Sequence, residues 1–479
     1  MSVPNPIIFS NLSAATSSPN TPEKSMLVVG AGIAGLTACK VLLEKDYKVT
    51  LLEAQSKAGG RIAVQRMGNS LIPTGAMYIH DPNSNAILSF IDKNNRKEIS
   101  PLDMPGLKIR SKAIASQEDL TKLFTYYAEY KSNMRPGRLE TLSPEENKDD
   151  LKRIAFKLAQ DTYVSYRGVS YTELQAVQQQ ERMVLDALFQ NSSLASASST
   201  ATDAGYEGDL FVSCPGGYYK ALIEPLLNEL IKSPNFEVRF NTPVREIDCR
   251  KDPATVTTPQ GEIFKADGII CAIPVAVIQK NQILIHGLDQ NKKAAIDHLK
   301  LCLQNQITLE FDNLDWMETA KEAASLNLIE ECEGSPTLIH GQNLYRTMAD
   351  NPSVLKFSLY AEHADFTGKS DLDVKNHLMG ILKSHFGNAV PEPKSFHITR
   401  WNEDRYVSQS WSRPGALTTP QEVAALQSLN STGNLCLAGE YTAGIGGDVH
   451  AAYLSGFNAA DTLAQQLTPK GPAKIKVGQ

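Results

Sequence analysis

The chain has 479 residues, 42% apolar and 21% charged, with a net charge of −6. That length allows two or three domains around sizeable cores, and the charge is too mild for a surface that binds nucleic acid or anionic membrane. No run approaches the ~18 apolar residues of a membrane helix. The seven cysteines, Cys39, Cys214, Cys249, Cys271, Cys302, Cys332 and Cys436, are scattered and lack a CxxC spacing. This argues against a disulfide framework and a zinc site, so no metal is expected and buried, inert thiols are.

Residues 1–24 are rich in Ser, Pro, Asn and Thr, without a basic segment ahead of an apolar stretch. They read as a mobile arm rather than a secretory signal, and the expected location is cytoplasmic. "SMLVVGAGIAGLTACKVLLEKDYKVTLLEA" then reads strand, glycine turn, helix, strand, its first strand apolar enough to be buried in a parallel sheet. Residues 147–168 carry Leu151, Ile154, Ala155 and Leu158 at helical spacing, and 191–205 is a low-complexity loop. Residues 216–233 read as a helix that Pro225 kinks. Strands are expected near "FEVRFN", "GIICAIPVAV" and "NQITLEF". "GNLCLAGE" reads as a strand ending at Glu440, and "VHAAYLSGFNAADTLAQQL" as a helix with a small side of Ala452, Gly456, Ala459 and Ala460. A basic tail closes the chain.

Gly30, Gly32 and Gly35 form GxGxxG at a strand-to-helix turn. Gly32 lets backbone approach a pyrophosphate, which the helix N-terminus attracts. Glu53, at the end of the next strand, is placed to accept from a ribose hydroxyl. These residues leave NAD and FAD both open. Gly59, Gly60 and Arg61 add a second close backbone approach and a charge for the same anion; a plain surface turn is the other reading of "AGGR".

"VVGAGIAGLTA…LLEAQSKAGGR", "TGAMYIH" and "LCLAGEYTAG…GGDVHAAYLSG" together resemble the flavin-dependent amine oxidases, which include monoamine, polyamine and L-amino-acid oxidases. The likeness lies near 26–80, 206–280 and 395–468. It implies an α/β and α+β fold: a discontinuous Rossmann-like FAD-binding domain (25–95, 206–290 and 425–468) and a substrate domain of mixed sheet and helices (96–205 and 291–424). Residues 1–24 and 469–479 stay outside as arm and tail. The FAD set it implies comprises Gly30, Gly32, Ala34, Gly35, Glu53, Ala54, Gly60, Arg61, Gly75, Ala76, Met77, Val244, Gly439, Glu440, Asp448 and Val449. Val244 would pair with the adenine through its backbone. Glu440 would bind the diphosphate-ribityl region, and the helix after Gly447 would aim its positive end at the flavin C2 carbonyl.

In monoamine oxidases a cysteine before an active-site tyrosine is joined to the flavin. The matching pair here is Ser410 and Trp411, so noncovalent FAD is expected. Trp411 becomes the candidate aromatic wall, with an ordinary core tryptophan as its alternative. L-amino-acid oxidases carry a carboxylate-gripping arginine where Tyr78 stands; Arg400, Arg405 or Arg413 would have to supply that charge from elsewhere. His80 resembles a histidine of some polyamine oxidases, or is a loop histidine bonded to backbone. Asp448 replaces an aromatic of relatives and is both a candidate ammonium partner and a good helix N-cap. Gln306, counted back from Phe311, falls where many relatives carry a lysine that holds water against the flavin N5 atom; a polar strand position is the alternative.

The expected function is FAD-dependent oxidation of a C–N bond in a polyamine-like or other cationic amine, giving an imine that hydrolyses, with O2 reduced to H2O2. The alternatives are an L-amino-acid oxidase or monooxygenase, and a flavin-bound binding module without turnover. The partners implied are a small amine and O2, with no nucleic acid and no membrane; a homodimer is compatible with the sequence.

Overall fold

The computed structural model describes residues 24–77, most of 217–443, and 447–467, together with scattered residues between 87 and 213. The arm at 1–23, Tyr78, His80, the loop at 191–205, most of 147–168 and the tail from 468 lie outside the described residues. Lys152 and Ala155 are helical.

The first strand, β1 (Ser25–Val29), leads through the glycine turn into α1 (Ile33–Glu44) and out to β2 (Lys48–Leu52). β1 lies at the centre of a parallel five-stranded sheet. The strand order is Leu435–Leu437, Gly268–Cys271, β1, β2, Phe236–Arg239. Apolar residues cover both faces, which explains the unbroken apolar run of β1. On one face α1 packs with the Val449–Leu467 helix. Gly456 is the contact point: an added Cβ would overlap the Ala34 carbonyl oxygen. On the other face Leu27, Val29, Ile269 and Leu437 meet a small four-stranded sheet built from residues between 246 and 286.

A second five-stranded sheet has the order Leu328–Cys332, Ser335–Asn343, Val354–Tyr360, Gln304–Glu310, Ser395–Ile398, antiparallel throughout. Its residues alternate strictly. Ile307, Leu309, Leu355, Phe357 and Leu359 face a core shared with the helix Asp371–Phe386. Gln306, Thr308, Lys356 and Ser358 occupy the opposite face and are buried as well. Part of that polar face is covered by the hairpin of β3 (Val64–Met67) and β4 (Ser70–Pro73), whose Met67 and Ile72 cluster with Met77, Leu344, Met348 and Val354.

Two local expectations need correction and one is refined. Residues 217–230 form one uninterrupted helical run that widens into a π turn over Tyr219–Ile223 and continues as the α-helix Glu224–Leu230, with Pro225 in the first turn after the widening. A proline there has no N–H to leave unpaired. "GIICAIPVAV" is a strand only to Cys271; from Val275 to Gln279 it is a short helix that starts after Pro274. The late strand stops at Leu437, and Glu440 opens a 3-10 turn.

Among the described residues Cys39, Cys249, Cys271, Cys302 and Cys436 are buried. Burial pushes the thiols of Cys271 and Cys436 up to about 12, so they are poor nucleophiles. No described helix is long and apolar enough to cross a membrane.

Candidate active site

The glycine turn is built from backbone. Gly30 donates its N–H to Leu52 O at 2.8 Å and sits at φ +103°. Gly35 lies so close beneath that an added Cβ would overlap Gly30 O. Gly32, the residue before α1, has no side-chain cap on the helix N-terminus. It bridges to Gly59, which donates its N–H to Ala31 O at 2.8 Å. A Cβ on Gly32 would enter open space with no atom within 4 Å, and Gly60 stands across from it. Uncapped helical amides facing an open, glycine-walled cradle fit the pyrophosphate of a dinucleotide.

Glu53 closes the inner side of this turn. Its carboxylate accepts from Ala31 N at 2.7 Å and Gln55 N at 2.8 Å. Burial pushes its pKa up, and the two amides pull the other way. Ala54 follows it, half-buried.

Arg61 is held by a second carboxylate. Its Nη1 donates to Glu440 Oε1 at 2.9 Å and to Ser410 O at 3.1 Å. Glu440 is 4% exposed and also accepts from the Ser412 hydroxyl and, at 3.0 Å, from Gly447 N. One carboxylate thus ties the 59–61 loop, the 411–414 strand and the entrance to the last helix. Gly439, at φ +146°, donates its N–H to Ser455 Oγ in that helix. Gly75 and Ala76 run against Arg61: the Ala76 N–H donates to Arg61 O at 3.2 Å, and a Cβ on Gly75 would overlap the same oxygen.

The geometry therefore brings together Gly30, Gly32, Ala34, Gly35, Glu53, Gly60, Arg61, Gly75, Ala76, Gly439, Glu440 and the start of the last helix at Val449. Val244 is half-buried against the second apolar cluster and outside every strand pairing, two residues after Thr242, whose N–H donates to Glu53 O at 2.8 Å.

Trp411 is half-buried, and a Cβ on Gly447 would meet its ring at 3.4 Å. Its ring lies 6.3 Å from Tyr360 at 71°, and Tyr360 lies 5.6 Å from His340 at 87°. These three rings line one end of the polar sheet face. Ser410 turns its hydroxyl onto the neighbouring strand, donating to Gln304 O at 2.7 Å and accepting from Gln304 N at 2.9 Å. That hydroxyl is committed to the fold, and a serine gives no thiolate. Acid precipitation of the yellow protein is expected to leave the flavin in the supernatant; flavin in the pellet would mean a covalent bond to some other residue.

Asp448 precedes the last helix, and its carbonyl accepts from Ala452 N at 3.1 Å. Among the described residues its carboxylate makes no hydrogen bond to the first helical turn, unlike the capping boxes of Ser370 and Thr419.

Gln306 lies on the polar sheet face, 7% exposed, with its Oε1 buried and unpartnered. Lys300 belongs to a separate two-stranded pair, opposite Arg413. Sequence reasoning missed Lys356. It is 1% exposed, and its Nζ donates to Pro73 O at 3.0 Å with Met77 Sδ at 3.6 Å. Burial pushes its pKa down to about 7. The signal was a charged residue inside "VLKFSLY", where alternation reads equally well as a solvated face.

The model of flavin-containing amine oxidoreductases matches residues 33–464. Among curated proteins, the chain is 25% identical over 459 residues to mouse lysine-specific histone demethylase 1B, covering 92% of this chain and 53% of that one. It is 24% identical over 466 residues to rice (Oryza sativa subsp. japonica) polyamine oxidase 4, covering 92% and 89%. The chain spans about half the length of the mouse demethylase. Among solved structures, a redesigned triple mutant of putrescine oxidase shares the fold with a TM-score of 0.62 at 18% identity, covering 92% of this chain and 99% of that one.

Proposed function

Because the chain belongs to the flavin-containing amine oxidoreductase family, with a flavin as its cofactor, we propose that it oxidises a C–N bond of a cationic amine, polyamine-like or similar, using noncovalent FAD and O2. The flavin supplies the two-electron redox chemistry when bound. The glycine turn, the uncapped start of α1 and Arg61 would hold its pyrophosphate. The protein's remaining tasks are to orient the amine, exclude water and manage one proton.

The observation that supports the amine reading is where the arginines that a carboxylate would need lie. Arg400 binds Asp371 and Glu403. Arg405 is exposed and lies over the Tyr406 ring. Arg413 is buried within its strand. The wall beside Gln306 instead offers buried oxygen acceptors and aromatic rings, which suit an ammonium and its methylenes. The names of the curated relatives, a lysine-specific demethylase and a polyamine oxidase, also point to cationic amines.

Anaerobic mixing with panels of amines and of amino acids tests this. Bleaching of the yellow flavin by amines alone is the expected result. Bleaching by amino acids alone would make the protein an amino-acid oxidase, and bleaching by neither would leave a binding module.

Asp448 is the proposed ammonium partner. Asp448→Asn is expected to raise the Michaelis constant for cationic amines by one or more orders of magnitude, with little change in melting temperature because no bond from its carboxylate to the first helical turn is lost. Unchanged kinetics would limit Asp448 to the helix entrance.

A further inference from the structure

Lys356 occupies a defined place in a grid of buried polar groups. It lies directly opposite Thr308 on one neighbouring strand and Gln342 on the other. Gln306 is its diagonal neighbour, because Gln306 pairs with Ser358. Residues so related share one face, with Cβ atoms about 5 Å apart for direct pairs and within about 8 Å for diagonals. Each of the three neighbours carries a buried oxygen without a partner: Thr308 Oγ1, Gln342 Oε1 and Gln306 Oε1. An ammonium has three N–H donors. Lys356 gives one to Pro73 O and meets only a thioether otherwise.

Three orphan acceptors on the residues flanking Lys356, whose nitrogen has donors to spare, make this face a polar region suited to bridging water. It sits at a boundary. On one side the hairpin and Met77 seal it through Val354. On the other, Gln306 and Ser358 lead along the same face to His340, Tyr360 and Trp411.

We infer that Lys356, through water held by Gln306, Thr308 and Gln342, accepts the proton that an ammonium substrate must lose before its C–H bond can be oxidised. This rests on the amine reading above. The step balances simply. An N–H bond of R–CH2–NH3+ breaks, the proton passes along the bridging water, and an N–H bond forms on the Lys356 lone pair. The substrate is left as R–CH2–NH2, able to give up a hydride to the family's flavin oxidant, and the lysine is left as an ammonium. The lysine returns its proton to water after the imine leaves. Such a base must be neutral near pH 7, and burial provides that. The titratable groups sharing this face are His340, Tyr360, Glu310 and His397, on the strands that flank or carry the pocket. The hairpin side presents a carbonyl and a thioether.

The test is the rate of anaerobic flavin reduction at saturating amine between pH 6 and 10, for the native holoprotein, Lys356→Met and Thr308→Val. Native reduction is expected to fall on the acid side with a midpoint near 7. Lys356→Met, which keeps the stem, is expected to lose that limb and to be at least tenfold slower at pH 7.5. Thr308→Val is expected to keep the limb with a lower plateau. A readout free of turnover accompanies it: between pH 7.5 and 9.5 the native protein should take up one more proton on unfolding than Lys356→Met. A limb shared by native and Met proteins, a Met variant within twofold of native, or a proton difference of zero overturns the inference alone. Bleaching by no amine at any pH overturns the amine reading and this inference with it.

Discussion

Gln306→Lys is expected to speed the reaction of reduced flavin with oxygen by roughly tenfold to a thousandfold, the range for one electrostatic contact in a dry site. Anaerobic reduction by an amine should change much less. Gln306 lies in the middle of the 304–310 strand, buried, with its amide oxygen unpartnered. An amide there can hold a water by hydrogen bonding, but it brings no positive charge to oxygen as negative charge develops on it. The nearest lysine on this face is Lys356, one row along the sheet and pushed down to about 7 by burial. Above that pH it is neutral and cannot stand in. Native reoxidation is therefore expected to be slow at pH 8 and to quicken as pH falls through 7 and Lys356 takes up its proton. Gln306→Lys, at a position 7% exposed where Lys356 is 1%, should depend on pH less steeply. Stopped-flow mixing of reduced protein with oxygenated buffer measures both. Fast native reoxidation at pH 8, unaltered by the added lysine, would remove Gln306 from this role.

The parts of the site legible in the sequence are those that backbone geometry demands. Gly30 at φ +103°, Gly35 beneath it and Gly59 bridged to Gly32 can each be filled only by glycine, so they mark the sequence with a spacing that survives without a structure. Gly456 against Ala34 O follows the same logic, and the small side of that helix was visible as periodicity. What was hidden depends on contacts between distant residues. The bond of Glu440 to Arg61 spans 379 positions and that to Ser412 spans 28, and no local pattern announces either. The polar face of the second sheet was hidden for another reason. Alternation in "VLKFSLY" and "NQITLEF" sets which residues share a face, but it does not say whether that face meets water or a hairpin. Here β3 and β4 cover it, so a lysine that reads as solvated is buried. Pro225 shows the remaining gap: the proline signals an irregularity, yet the sequence does not say that it takes the form of a π turn inside a continuing helix.

Lys356→Met is expected to stabilise the protein by about 2–4 kcal/mol at pH 7 and to leave it no more stable than native, or less stable by up to about 2 kcal/mol, near pH 10. The lysine is fully buried, with a pKa moved from 10.5 to about 7 by desolvation. At about 1.4 kcal/mol per pH unit, such a displacement costs the folded state up to about 5 kcal/mol. Methionine keeps an unbranched stem of similar reach and carries no charge to desolvate. It leaves Pro73 O without its donor, which returns about 1–3 kcal/mol of the gain. The pH dependence has a fixed direction. Below pH 7 both folded and unfolded lysine are protonated, and the native protein bears the whole penalty. Between 7 and 10.5 the unfolded chain holds a proton that the folded protein does not, so native stability rises with pH. Above 10.5 the penalty is gone. The variant's advantage should therefore shrink steadily across that window and vanish or reverse before its upper end. Urea unfolding at pH 6.5, 8 and 9.5 measures it, with tryptophan fluorescence as the signal, since Trp316 packs against Phe311 and Phe386 in the core beneath this sheet. A gap of constant size at the three pH values would show that Lys356 does not titrate in this window, and a variant less stable than native at pH 6.5 would show that the bond to Pro73 outweighs the buried charge.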